Sequence, residues 1–286
     1  MPAPELTRRR GATTLAGVAA PVEGGGRRTS ALTPNAFGLG EAVGGLAAGF
    51  LLAQVLASVY ASVAHERPGA TTFGIEASSL VGLWLGLAGA TLLASRRHGA
   101  YAGPRAGVPV GGARGRTASL ARDFGFSLRP WPDVPVGVVV GAVSQYLLVP
   151  LFELPLLPFV PHLFHRLGQP AVSETAHSSG ATLVVLGVLV CLGSPVVEEL
   201  YFRGLLLRAV GGRLSRLGAR LGPALSVAIV AVLFGLVHFE ALQLLALVGF
   251  GAVLGTLAWR TGRLGPGIVA HVTFNTLAFV SVVRAR

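Results

Sequence analysis

The run ATLVVLGVLVCLGSPVVEEL, residues 181–200, decides the fold. It is apolar over the roughly 20 residues that an α-helix needs to cross a hydrocarbon core. It nevertheless ends on two adjacent carboxylates, Glu198 and Glu199, beyond which the helix is expected to run on towards about 211. Working outward, comparable apolar runs lie at 39–64, 74–95, 134–152, 222–238, 241–259 and 265–283. The stretch 151–164 is interrupted by Pro155, Pro158 and Pro161, which reads as an interfacial or re-entrant piece, a possible eighth element. The pattern predicts an all-α, polytopic integral membrane bundle of about seven or eight transmembrane helices over residues 37–286.

Composition agrees. Hydrophobic residues make up 52% of the chain and charged residues 12%, about half the charged share of a soluble domain. Forty glycines fit helices that approach closely in lipid. Cys191, the single cysteine, excludes an intrachain disulfide. Residues 1–36 have no sustained apolar period and are expected to form a disordered basic tail. That tail lacks the order of a cleavable signal peptide.

The formal charge of +11 comes from 23 arginines and no lysine. They are not interleaved with aromatic residues as in a single-strand groove, so nucleic acid is not expected as a partner. Their distribution alternates: five in 1–36, one in 65–73, seven in 96–133, one in 153–180, five in 203–221, none in 239–240 and two in 260–264. Positive connections stay in the cytoplasm, which puts the N-terminus and the 96–133 and 203–221 connections inside. Arg284 and Arg286 weaken the alternation at the C-terminus. No internal repeat supports a transporter built from inverted halves.

Ionisable groups within spans are costly and mark functional sites. Ser194-Pro195 is a helix-start pair, which predicts a kink or restart that brings Glu198 near a positive helix end. Glu199 and Arg203 are spaced i,i+4 and should pair on one face. Glu198 points about 100° away and is the freer carboxylate. Phe234 and His238 share a face of the next run, and His271 and Asn275 share one of the last. A carboxylate base, two imidazoles and an amide donor suit hydrolysis of an amide. Neither a His-Glu-x-x-His zinc motif, a Gly-x-Ser-x-Gly elbow nor a Gly-Lys-Ser/Thr phosphate loop is present.

The three patterns Glu198-Glu199-x-x-x-Arg203, Phe234-x-x-x-His238 and His271-x-x-x-Asn275 occur in this order, on successive apolar runs. In this the sequence resembles the type II CAAX prenyl endopeptidases, the CPBP or Abi family of intramembrane glutamic peptidases, over about 181–280. The resemblance implies a helical membrane fold with a conical cavity open to the cytoplasm, and catalysis without a cofactor. It implies that Glu198 activates water with His238, that His271 and Asn275 steady the oxyanion, and that Glu199, Arg203 and Phe234 support them. It also implies a peptide or protein substrate, membrane-anchored or not. The all-Arg, Gly/Ala/Val-rich composition resembles that of a high-GC bacterium, so the expected location is a bacterial cytoplasmic membrane and a prenylated substrate is not assumed. Two alternatives stay open: a non-catalytic peptide-binding or bacteriocin-immunity membrane protein, and a zinc-dependent peptidase with Glu198, His238 and His271 as Zn2+ ligands. A plain count of spans also leaves His238 near the outer face while Glu198 and His271 lie nearer the inner one.

Overall fold

The computed structural model describes residues 38–67, 70, 72–98, 119–176 and 178–284. The expected basic tail, 1–36, lies outside them, as does most of the 96–133 connection. Among the described residues all regular structure is helical. Six helical segments are long and apolar enough to cross a membrane, and the chain is an all-α, multi-pass membrane bundle.

The first two spans, α1 (Leu39–Val63) and α2 (Phe73–His98), form an antiparallel pair. Its seam is made of small residues one turn apart. Gly45 faces Ala90, Gly49 faces Gly86, and Gly82 faces the backbone of Leu52 and Ala53. A Cβ on Gly86 would collide with the Gly49 backbone, so dispersion contacts along this seam depend on glycine. Gly86→Leu is therefore expected to force the two helices apart and lower stability by about 1–3 kcal/mol. Thermal unfolding in detergent would read this as a lower midpoint.

A short helix, α3 (Leu120–Phe124), precedes α4 (Pro130–Val143), which continues through a π-turn at Ser144–Leu148 into α5 (Val149–Glu153). The proline-broken stretch then makes one 3-10 turn, Leu154–Leu156, and leads to α6 (Leu163–Ala176). Neither piece belongs to a further spanning segment, so the possible eighth element is not a span. The segment between α3 and α4 docks on the turn that precedes the last helix, α12 (Gly265–Arg284). Leu264 N–H donates to the Gly125 carbonyl at 2.9 Å and Gly265 N–H to that of Ser127 at 3.1 Å. The Arg263 guanidinium meets buried Asp133 Oδ2 at 2.8 Å. Gly137 then faces Pro266 and Val269, and Gly141 faces Ala270 and Thr273, so α4 runs parallel to α12. These contacts fix the end of α12 that carries His271.

The longest helical segment, 180–236, has 57 residues. It would measure about 85 Å as a straight helix, nearly three hydrocarbon thicknesses. It does not run straight. The first leg comprises α7 (Gly180–Val188), a π-turn at Leu189–Gly193, α8 (Ser194–Glu198), a longer π-segment at Glu199–Leu206 and α9 (Leu207–Leu214). A 3-10 turn, Ser215–Leu217, and Gly218 at φ +87° then reverse the chain into α10 (Gly218–Leu236). A second reversal leads to α11 (Leu244–Thr261), whose end is capped by Gly262 in the left-handed conformation. Counting the two legs separately recovers the seven expected spans.

The same geometry shows how His238 reaches Glu198. The first leg runs to Leu214, close to the helical continuation expected towards about 211, and α10 begins at Gly218 where 222 was expected. Glu198 and His238 thus lie roughly 25 and 30 Å of helix rise from the same bend. They meet because both legs start from it.

Candidate active site within the helical bundle

Local sequence chemistry shapes the first leg around Glu198. Pro195 has no N–H and its ring crowds the carbonyl one turn back, a conflict that an α-helix relieves by kinking. Here the helix also widens. Ser194 N–H donates to the Leu189 carbonyl, an i→i−5 bond. Ser194 itself is helical, at φ −57° and ψ −51°, and makes no side-chain cap at the start of α8. The expected restart at Ser194-Pro195 is therefore absent, and with it the argument from a half-helix dipole. The same device recurs at Ser144–Leu148, where Val149 N–H reaches the Ser144 carbonyl just before Pro150.

The π-turn leaves one carbonyl without a helical donor. In the i→i−5 register the Val190 carbonyl faces Pro195, which has nothing to donate. Asn275 supplies the missing bond: its Nδ2 donates to the Val190 oxygen at 3.0 Å. This ties α12 to the wide turn at Val190, about two helical turns before Glu198.

The following π-segment holds the ion pair. Arg203 Nη1 donates to Glu199 Oε1 at 2.6 Å, and neither side chain is exposed. Arg203 Nη2 also donates to the Gly251 carbonyl at 3.2 Å, and the guanidinium carbon lies 4.4 Å from the Phe234 ring centroid. Glu199 has a second partner, with His271 Nδ1 at 3.1 Å from its Oε1. A carboxylate oxygen accepts, so that nitrogen is assigned as the donor. Gly267 leaves room for this carboxylate, since a Cβ there would stand 3.0 Å from Glu199 Oε2.

His238 meets Phe234 as the spacing predicts, but from beyond the helix. α10 ends at Leu236, and His238 lies in the turn beyond it. Its ring folds back, Nδ1 lying 2.6 Å from the Phe234 carbonyl, which can only accept. Both imidazoles therefore turn Nε2 towards one atom. His238 Nε2 is 4.0 Å and His271 Nε2 is 3.9 Å from Glu198 Oε2. That oxygen is buried and has no hydrogen-bond partner. Phe234 is the platform between the imidazoles, its centroid 4.7 Å from His238 and 5.6 Å from His271.

The structure thus brings Glu198, Glu199, Arg203, Phe234, His238 and His271 together, with Asn275 one turn further along α12. Two contributors escape a reading of spacing. Phe250 packs edge-on to His271 at 5.4 Å and stacks on Phe274 at 4.1 Å, and Gly251 offers Arg203 a backbone carbonyl. Their only sequence signal is an aromatic and a glycine within a glycine-rich span. Exposure falls from His238 (30%) through Glu198 (14%) to His271 (3%), so the cluster opens on the His238 side.

Residues 180–277 match the family described as Type II CAAX prenyl endopeptidase Rce1-like. The match spans the π-turn at Leu189–Gly193, the π-segment at Glu199–Leu206, both legs of the long segment and all seven side chains. No curated protein and no solved structure matches the chain.

Proposed function

We propose that this chain, which belongs through residues 180–277 to the Rce1-like type II CAAX prenyl endopeptidase family, hydrolyses peptide bonds inside the membrane with a water activated by Glu198. The observation that carries the reading is the convergence of two imidazole Nε2 atoms, at 3.9 and 4.0 Å, on the unpartnered Glu198 Oε2. These separations exceed a direct hydrogen bond and suit one bridging water. Glu198 takes a proton from that water as its oxygen attacks the scissile carbonyl carbon, aided by His238. The carbonyl oxygen becomes an oxyanion. Asn275 has a second Nδ2–H beyond the one given to Val190, and His271 donates from Nε2 when that nitrogen is protonated. With His271 so charged, Glu198, Glu199, Arg203 and His271 sum to zero, which lowers the cost of burying them. The C–N bond then breaks and the proton held by Glu198 passes to the leaving amine.

This account ranks above a non-catalytic binding protein because each imidazole is oriented through its Nδ1 towards the free carboxylate, an arrangement that binding alone does not need. Comparing cleaved termini in membranes of wild-type and Glu198→Gln cells tests it. Termini that vanish in the variant support turnover; identical sets oppose it.

Asn275→Ala should lower kcat by about 10²–10³-fold with little change in KM, because a neutral carbonyl needs the donor less than an oxyanion does. It should also cost about 1–3 kcal/mol of stability by orphaning the Val190 carbonyl. Asn275→Asp should do at least as much damage, since it sets a carboxylate against that carbonyl and the forming oxyanion. Steady-state kinetics with thermal unfolding separates the two effects.

A zinc-dependent version is the second reading. Both imidazoles give their other nitrogen to an oxygen, as ligating histidines do. Against it, no group of three His, Cys, Asp or Glu side chains among the described residues is arranged to hold a metal ion.

The end of the bundle at the bend between α9 and α10 holds Arg208, Arg263 and the Arg129–Asp133 contact, and we assign it to the cytoplasm by the arginine alternation. A reporter fused at Gly111, which lies outside the described residues, should signal from inside; periplasmic activity would reverse the orientation.

A further inference from the structure

Three residues other than glycine have positive φ among the described residues: His65, His162 and Phe239. Histidine is enriched in the left-handed region; a bulky aromatic residue there is an outlier. Phe239 adopts φ +56° immediately after His238, at the end of α10, where glycine or asparagine is ordinary. Such a conformation persists only where its surroundings over-determine it, and it clusters at functional sites. The turn is indeed held from both sides. The Phe239 ring meets Phe50 of α1 edge-on at 5.6 Å, and Gln243 Nε2 donates to the Leu167 carbonyl of α6 at 3.1 Å.

The backbone that turns His238 back towards Glu198 therefore also projects Phe239 outward, 77% exposed. It stands on the side of the cluster that is open, since His238 is the most exposed of the three converging groups. A residue whose only task was to end the helix would be glycine. The exposed ring, next in the chain to His238 and on the open side of the cluster, is instead suited to contact what enters across Glu198.

We propose that Phe239, backed by Phe50, is a specificity-determining residue that receives an apolar side chain flanking the bond to be cleaved. The assignment rests on the peptidase reading above and adds a subsite to it. The ligand is an extended peptide held at bilayer depth, bearing a large aliphatic or aromatic side chain next to the scissile carbonyl.

Binding tests this without requiring turnover. Glu198→Gln protein in lipid nanodiscs would be titrated with fluorescent, palmitoylated peptides that differ at one position, Leu or Ser. Adding Phe239→Gly should weaken the Leu peptide by at least about tenfold, the scale of one apolar side chain in a pocket, and the Ser peptide by less than about twofold. The glycine variant should melt close to its parent, because glycine accepts φ +56° without penalty and this offsets the lost ring contact with Phe50. In the Glu198-containing protein the same change should raise KM for the Leu peptide and leave kcat nearly as it was. If both peptides bind equally well with and without Phe239, this assignment falls while the peptidase reading stands. If no peptide binds the Glu198→Gln protein, both fall.

Discussion

Glu198→Gln abolishes turnover and leaves a folded, membrane-inserted protein: that is the expected result, and the structure gives both halves of it. Gln matches Glu in shape. Glu198 Oε2 has no hydrogen-bond partner to lose, and an amide there could donate to either facing Nε2. Folding should therefore be unchanged or slightly improved. Catalysis should not survive, because an amide cannot take a proton from water. Loss of a general base costs about 10²–10⁴-fold, which would carry a slow membrane enzyme to its detection limit. Rate assays paired with thermal unfolding of the same preparation read both halves, and full activity in the variant would remove Glu198 from the chemistry.

Arg203→Ala is expected to act on the opposite term. Arg203 and Glu199 are wholly buried at 2.6 Å from one another. Truncation would leave the Glu199 carboxylate with only His271, and the Gly251 carbonyl without its side-chain donor. Removing one partner of such a pair costs about 3–5 kcal/mol, enough to collapse the folded yield of a marginal protein. Neutralising both, in Arg203→Met with Glu199→Gln, should restore much of that yield, since a buried pair replaced by neutral groups often costs little. Activity should stay low in the double variant, because His271 loses the carboxylate that orients it. Size-exclusion profiles would show the recovery. A fully stable Arg203→Ala protein would contradict the account of this pair.

Much of this site is legible in the sequence because the bilayer simplifies the reading. Charge is scarce in the spans, so Glu198, Glu199, Arg203, His238, His271 and Asn275 stand out against Val, Leu, Ala and Gly. Spacing of i,i+4 correctly pairs Glu199 with Arg203. It also pairs Phe234 with His238, although α10 stops two residues earlier and the contact is made by a ring folded back from a turn. Ser194-Pro195 misleads, since it reads equally well as a helix start or as a proline absorbed in a wider turn. Only the tertiary bond from Asn275 to the Val190 carbonyl shows how the second choice is satisfied. The continuation of the first leg past 200 is legible as helix, but its place inside the bundle is hidden for a different reason. Arg203 and Arg208 look like the end of a membrane run, yet Arg203 is neutralised by Glu199 inside the bundle, and Arg208 is buried where α9 meets the turn at Gly262.

The central claim is that a water held between Glu198 and the two imidazoles is the nucleophile in peptide-bond hydrolysis. The most direct measurement incubates purified, chelator-treated protein in nanodiscs with a lipid-anchored peptide in H₂¹⁸O, and reads the new C-terminal carboxyl by mass spectrometry. The account predicts one ¹⁸O in that carboxyl from wild-type protein, undiminished by the chelator and absent with Glu198→Gln. No cleavage by the wild type, equal cleavage by the variant, or cleavage that stops with chelator and returns with zinc would contradict it.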